Sequence, residues 1–339
     1  MDARRLSLAD AESLAVDAAR AVGVNAPQAR ALARATVAAE AIGRRAVGFA
    51  HLPDYLEAFL AGRIRGDAEP ELSFPVPALI ACDAREGIAQ LGFDLAFADL
   101  THRARAYGLA AFALSNAFTA GEVGYYPRRL AEAGLVAFAA ANGPALITVP
   151  GADATPVYCT NPFAFAAPVE GRPPLLIDQS SSAAAFVELR RRALADEPLP
   201  KGWAVDSDGR PTTDARAALK GALLAFGGAR GANIALMVET LAAGLTGANW
   251  SLDAPAFEAG AASPGAGLFV AAIDPQALAP RLPRRLRDQL DRLAALGVHA
   301  PGRSRTAAAF IELPAGLALR IEALAEAGRA ARRSLSPLR

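Results

Sequence analysis

Two stretches of the chain hold residue types that chemistry needs. In IDQSSSAAAF a strand-forming run ends at Asp178, four polar residues follow (Gln179, Ser180, Ser181, Ser182), and a helix-forming run begins. A carboxylate at a strand end can orient an imidazole, and hydroxyls and amides at a helix N-terminus can hold a phosphate. A plain helix cap after a strand would leave the same pattern. In FGGARGANIALMVE a glycine-rich turn meets an apolar helix, and Arg230 can pair with a phosphate; a tight turn with a solvated arginine is the alternative. Two further polar stretches, CTNPFAFAAP and PKGWAVDSDGRPTTD, read alone as a turn at Asn161-Pro162 and a loop with Trp203 turned inward.

Several common machineries are excluded. No G-x-G-x-x-G follows an early strand, no G-K-[ST] occurs, and G-x-S-x-G is missing. His51, His102 and His299 are too scattered for a local zinc pattern, so no metal is expected. Lys201 and Lys220 are the only lysines and sit in polar surroundings, which disfavours imine formation with the enzyme. Cys82 and Cys159 cannot build a disulfide framework and read as buried free thiols. A net charge of +1 points to no nucleic acid or other polyanion. With no signal-like leader and no apolar run long enough to span a bilayer, a cytoplasmic, membrane-free protein is expected.

The elements that must position these residues follow from periodicity. At 339 residues the chain can bury a large core. Ser7 with Asp10 reads as a capping box, and Asn25 with Pro27 as a second helix start; a third helix spans 52–60. Residues 1–74 are therefore expected to be a helical part. From 75 to 280, short apolar runs at 78–82, 111–114, 135–139, 163–167, 175–178 and 268–273 alternate with helical stretches, the mark of an α/β body. Helices are expected at 94–107, 125–133, 183–193 and 231–245, with surface connections at 190–200 and 252–264. Residues 281–339 return to helices, expected to pack back on the N-terminal part.

TNPFAFAAP, GWAVDSDGRPTTD and GGARGANIALMVE, in this order with YLEAFLAGRI and FVAAIDP, resemble the malate/L-lactate/sulfolactate dehydrogenase-like oxidoreductases. That family is distinct from the Rossmann lactate and malate dehydrogenases and includes reductases of cyclic imino acids. The resemblance runs from about residue 6 to 325. It implies a mixed-sheet nicotinamide-binding body, a helical domain made from both chain ends, and a homodimer acting on a small 2-oxo, 2-hydroxy or cyclic 2-imino acid. It places the cofactor at Thr160, Asn161, Ile177, Gln179, Ser180, Ser181, Ser182, Arg230, Gly231, Gly302 and Arg303. The family usually has glutamate where Arg303 stands. A carboxylate beside the adenosine ribose would repel a 2′-phosphate and an arginine would attract it, so NADPH is expected over NADH.

The chain departs from the family at its proton donor. The family's joint reads S-H-G-V-x-R-L-P-x-Y; in GRRAVGFAHLPDYL, Val47 takes the place of that histidine and His51 that of an arginine near the substrate carboxylate. A second family histidine is also missing, since the chain reads Ser115-Asn116-Ala117-Phe118 and then TAGEVGYY. His51 lies four residues from Val47, one turn away on the same face if the joint is helical, and could act as the acid/base with Asp178 fixing its tautomer. An ordinary polar residue on the third helix is the alternative. His102, in THRARAY, reads as a solvated helix face; His299 contacts cofactor or closes a turn. Asn116, Glu122 and Tyr125 could supply substrate contacts. Without a positioned acid an alkoxide is costly to form, whereas a protonated imine ends as a neutral amine, which favours imine reduction. A catalytically altered member that keeps the fold and dimer as a binding or structural protein is the rival reading.

Overall fold

Both N-terminal helices start on the caps that the sequence offers. In the computed structural model, which describes residues 3–152, 154–299, 301 and 307–335, β1 (Arg4–Ser7) leads into α1 (Leu8–Ala21). Ser7 Oγ accepts from the Asp10 amide at 3.1 Å and donates to the Asp10 carboxylate at 2.7 Å. α2 (Ala26–Ala41) begins on Asn25, whose side chain accepts from the Gln28 amide at 2.9 Å. α3 (Leu52–Leu60) completes the trio. The chain continues through β2 (Glu71–Val76), β3 (Leu79–Asp83), α4 (Ala89–Tyr107), β4 (Leu109–Ala117), α5 (Tyr125–Glu132), β5 (Val136–Ala141) and β6 (Ile147–Thr148). β7 (Phe163–Val169), β8 (Arg172–Gln179), α6 (Phe186–Ala195), β9 (Ala204–Val205), β10 (Pro211–Thr212), α7 (Ala215–Ala218) and β11 (Ala222–Leu224) follow. The last elements are α8 (Ala229–Glu239), β12 (Ala266–Ile273), α9 (Pro275–Leu278), α10 (Leu282–Ala295), β13 (Phe310–Leu313) and α11 (Ala315–Leu335).

The main sheet has seven strands in the order β2-β3-β4-β12-β5-β7-β8. β3 and β4 run parallel and every other neighbouring pair is antiparallel, so the sheet is mixed. All six strand runs expected from apolar composition lie in it. The seventh, β2, runs across the boundary at residue 74 between the part read as helical and the α/β body: it is an edge strand, mostly exposed, bulged between Ser73 and Val76 and interrupted by Pro75, so it carries no buried-strand signal. The other edge is β8, which ends beside Asp178.

Chain ends meet in a second layer. β1 pairs antiparallel with β13, and α1, α2, α3 and α11 share one core that includes Leu32, Leu52, Leu56, Ile64 and Ile321. α10 departs from the expected return to these helices. Its Leu286 and Leu290 pack on Leu175 and Val169 of the β7–β8 hairpin, and Asp291 takes both guanidinium nitrogens of Arg172, at 2.7 and 2.9 Å. A small sheet, β10-β9-β11-β6, has its own core around Ile147, Leu189 and Leu223. Its strands, two or three residues each, are too short for periodicity to reveal. Among the described residues no helix is long and apolar enough to cross a membrane.

Candidate active site

The joint between α2 and α3 is two 3-10 turns, Arg45–Val47 and Phe49–His51, separated at Gly48. Glu40 builds it. Its Oε2 accepts from the Phe49 amide at 2.9 Å, and a Cβ on Gly48 would lie 2.5 Å from that oxygen, so a larger residue there would displace the carboxylate from this bond. Burial raises the Glu40 carboxyl above the usual range, against the Phe49 amide and Arg45, which lower it. Gly48 has φ −94° and ψ −129°, outside the helical region, so the same-face expectation for Val47 and His51 does not hold: the backbone is redirected between them.

His51 points its Nδ1 at Asp54 Oδ2, 2.8 Å away, and lays its ring edge to face with Tyr55, centroids 5.0 Å apart. Asp54 also lies 3.5 Å from Arg190 of α6, whose same nitrogen is 3.0 Å from Glu258. Burial acts to raise the Asp54 carboxyl, but the His51 hydrogen bond, with the charges of His51, Arg190 and Arg320, holds it below the ordinary value. His51 is thus hydrogen-bonded to Asp54, three residues along the same turn, where the sequence offered Asp178. Asp178 instead meets Arg44: one Arg44 nitrogen donates to the Asp178 carbonyl at 2.7 Å and lies 3.3 Å from its carboxylate.

The loop after β4 links the two. Gly121 sits where a Cβ would be 3.0 Å from the Tyr55 hydroxyl, and Gly124 where one would be 2.9 Å from Asp178 Oδ2. His51, through Tyr55, and Asp178 therefore border the same short loop, with Arg44 closing the ring from the joint. The loop's polar residues face inward. Tyr125 is buried and accepts from Arg129 at 3.0 Å; burial first, then Asp94, raises its phenol. Glu122 is buried 3.7 Å from Arg128. Asn116, at φ +58°, donates to Asp83 at 3.0 Å and so braces the β3–β4 end of the loop.

Three of the quoted stretches converge beyond β8. The Ser181 amide donates to the Thr160 carbonyl at 2.8 Å and its hydroxyl to the Asn161 carbonyl at 2.7 Å, while the Phe226 amide donates to the Ser181 carbonyl at 3.0 Å. Ser182 Oγ donates to the Ala184 carbonyl and contacts Ser180 Oγ at 2.9 Å. Ile177 and Gln179 pair with Phe165 and Phe163 in the ladder. Asn161, buried with φ +39°, donates from Nδ2 to the Ala235 carbonyl and to Glu239, each at 2.8 Å. Glu239 is 3% exposed and also accepts from the Ser251 amide and hydroxyl. α6 starts only at Phe186, so these serines form a turn, not the helix N-terminus that was expected, and α6 continues through Ala195 on a Glu188–Arg191–Arg192 ion-pair ladder where a connection was expected.

The end of this assembly carries groups that suit an anion. Gly228 begins α8 without any side-chain cap, leaving first-turn amides free for an anion, and Arg230 is exposed beside them. A Cβ on Gly231 would run into the Phe226 carbonyl, so the turn cannot be widened. Gly302 and Arg303 lie outside the described residues. His102 and His299 are both exposed. Cys82 and Cys159 are free and buried, and burial pushes their thiols up to about 12 and about 11, so neither serves as a nucleophile.

Sequence reasoning missed Arg44, Asp54 and Glu239. Asp54 had a local signal, the three-residue spacing from His51 in a helix's first turn. Arg44 meets Asp178 across 134 residues and had none.

The fold is a mixed α/β one built on a seven-stranded sheet, with a single parallel pair, β3–β4. A profile of malate/L-lactate dehydrogenases matches residues 6–325. The chain is 40% identical over 273 residues to (2R)-3-sulfolactate dehydrogenase (NADP(+)) of Chromohalobacter salexigens, covering 80% of this chain and 81% of that one. It is 35% identical over 338 residues to Δ1-pyrroline-2-carboxylate reductase of Ancylobacter novellus, covering 96% and 98%. The crystal structure of Δ1-piperideine-2-carboxylate reductase from Pseudomonas syringae superposes with a TM-score of 0.84 at 30% identity, over 97% of this chain and 95% of that one. The chain belongs to the malate/L-lactate dehydrogenase family and is an oxidoreductase acting on a small molecule.

Proposed function

We propose that this enzyme uses NADPH to reduce the C=N bond of a small cyclic 2-imino acid, of the Δ1-pyrroline- or Δ1-piperideine-2-carboxylate kind. The observation that carries this is the pairing at the joint: His51 is held by Asp54 and, through Tyr55, borders the loop 118–124, as does the Arg44–Asp178 pair, while the position where the resemblance puts the donor histidine holds the apolar Val47. His51 Nε2–H protonates the imine nitrogen, so the C2 carbon meets hydride as an iminium. The C=N electron pair ends as the nitrogen lone pair of a secondary amine, and His51 is reprotonated by water. No alkoxide has to be neutralised during the transfer. A reduced nicotinamide, when bound, supplies the hydride and leaves oxidised. Thr160, Asn161, Ile177, Gln179, the serine turn, the α8 N-terminus, Arg230 and Gly231 hold that cofactor, with Gly302 and Arg303 on its ribose phosphate. Asn116, Glu122 and Tyr125 shape the substrate side by fixing the loop.

The relatives support both cofactor and substrate class, since one is named for NADP and others for pyrroline- and piperideine-2-carboxylate. The 40% identity to a sulfolactate dehydrogenase favours a second reading, reduction of a small 2-oxo acid at the same site. A panel of cyclic imino acids, pyruvate and sulfopyruvate, followed by loss of NADPH absorbance, separates the two. The expected result is kcat/KM for imines at least about 100-fold above that for oxo acids; turnover of oxo acids alone overturns the proposal. Exchanging Arg303 for glutamate should shift the KM ratio toward NADH.

We read the enzyme as a cytoplasmic homodimer. Leu236, Met237, Leu245, Trp250 and Leu252 expose apolar surface along α8 and the turns after it, which a second copy would cover. Light scattering at micromolar concentration tests this, a monomer being the refuting result.

A further inference from the structure

We infer that Asp54 is the positioning residue for His51, fixing the imidazole tautomer and holding its charge, and that Arg190 opposes it. The inference rests on the reading of His51 as the acid. Asp54 Oδ2 lies 2.8 Å from Nδ1, so it accepts a hydrogen bond from Nδ1–H and leaves Nε2 to exchange a proton with substrate. Nothing in the family joint assigns this role: Asp54 stands at its variable position, and the histidine itself stands where an arginine belongs. The two members of the pair meet within one turn.

The groups facing the pair set the sign. Asp54 favours the imidazolium. Arg190 of α6, 3.5 Å from the same carboxylate oxygen, draws its charge away, and Glu258 from the 252–264 segment, 3.0 Å from Arg190, partly neutralises that pull. On the α11 side, Arg320 acts on Asp54 through its charge and is itself tied to Glu57 at 2.7 Å. Tyr55, the ring against His51, is a buried phenol whose ionisation burial suppresses, so it contributes no charge. Removing Asp54 should therefore make His51 a stronger acid, and removing Arg190 a weaker one, opposite effects that a general loosening of the site would not produce.

The test uses the intact enzyme. With three histidines in the chain, the imidazole nitrogens can be followed by 15N NMR and His51 assigned by its loss in His51→Gln. Asp54→Asn is expected to move the His51 15N pattern away from the Nδ1–H tautomer and to shift the alkaline limb of the kcat/KM profile for Δ1-pyrroline-2-carboxylate downward; Arg190→Gln is expected to shift that limb upward. Absence of any shift in both variants, or shifts of the same sign, overturns the role of Asp54 and Arg190 even if His51→Gln abolishes turnover. Full turnover in His51→Gln would instead sink the reading of His51 as acid, while the NMR shifts would still decide whether Asp54 holds the ring. If Asp54→Asn fails to fold, Arg190→Gln alone still decides, since an unmoved alkaline limb there refutes the inference.

Discussion

Glu239→Ala removes an acceptor shared by three buried donors. The carboxylate takes the Ser251 amide at 2.6 Å, the Ser251 hydroxyl at 2.8 Å and Asn161 Nδ2 at 2.8 Å. Each donor left unsatisfied in the interior costs about 1–3 kcal/mol, and water entering the vacated space recovers part of it, so the expected loss is about 3–6 kcal/mol. At about 2.1 cal/mol/K of unfolding entropy per residue, 339 residues melt with about 0.7 kcal/mol/K, and the loss corresponds to a Tm drop of about 4–8 °C. Glu239→Gln keeps an acceptor for at most two of the donors and turns its own amide toward another, so its Tm should fall between the two. Because Asn161 carries the carbonyl that holds Ser181, cofactor affinity should fall with Tm, read by quenching or enhancement of NADPH fluorescence. A Glu239→Ala protein within about 1 °C of the parent, binding NADPH equally well, would refute the claim that this buried network fixes the cofactor turn.

Gly231→Ala should abolish NADPH binding or folding, since its Cβ would enter the Phe226 carbonyl; a fluorescence titration with a circular dichroism spectrum separates the two outcomes. Val47→His should raise kcat/KM for 2-oxo acids by about tenfold or more relative to imines, because it returns an acid to the family's position; an unchanged ratio counts against the missing-acid argument. Glu188 is held at about 2 by the Arg191 hydrogen bond, with burial acting the other way and Arg192 adding to the lowering. A depressed carboxyl stabilises the fold above its unfolded value of 4.5 and loses that contribution as pH falls toward 2, so the acid side of a Tm–pH curve should be shallower in Glu188→Gln.

What the sequence disclosed was what local rules govern. Ser7 and Asn25 cap helices because a side-chain oxygen three residues before an amide is enough, and β4, β5, β7 and β12 announce themselves because strands covered on both faces must be apolar throughout. β2 escaped because an exposed edge imposes no pattern and Pro75 looks like a loop. α6 seemed to stop early because its charges, paired at three- and four-residue spacing, resemble a solvated connection. At the site, the convergence of Thr160, Ser181 and Phe226 was legible only as three stretches that recur together; that backbone hydrogen bonds tie them is a property of the folded sheet. His51 could be picked out by residue type, but its partner could not be settled by type alone. The strand-end carboxylate looked the natural choice, and the local one is the one it has.

The substitutions at the joint make sense as a set. The Asp178 carboxylate, nearly buried at the β8 edge, lies 3.3 Å from the Arg44 guanidinium, and an ion pair in so shielded a place is costly to break. Arg44 reaches Asp178 through both its carbonyl and its carboxylate. That pairing gives Asp178 a permanently charged partner, while Asp54 holds the acid from within the same turn as His51. On this argument Arg44, Val47, His51 and Asp54 are interdependent: Val47→His alone introduces a second basic group three residues from Arg44, and Val47→His combined with Arg44→Ala should gain more oxo-acid activity than the two changes contribute separately. Simple additivity of the two in a double-mutant cycle would show that the joint was not rebuilt as a unit.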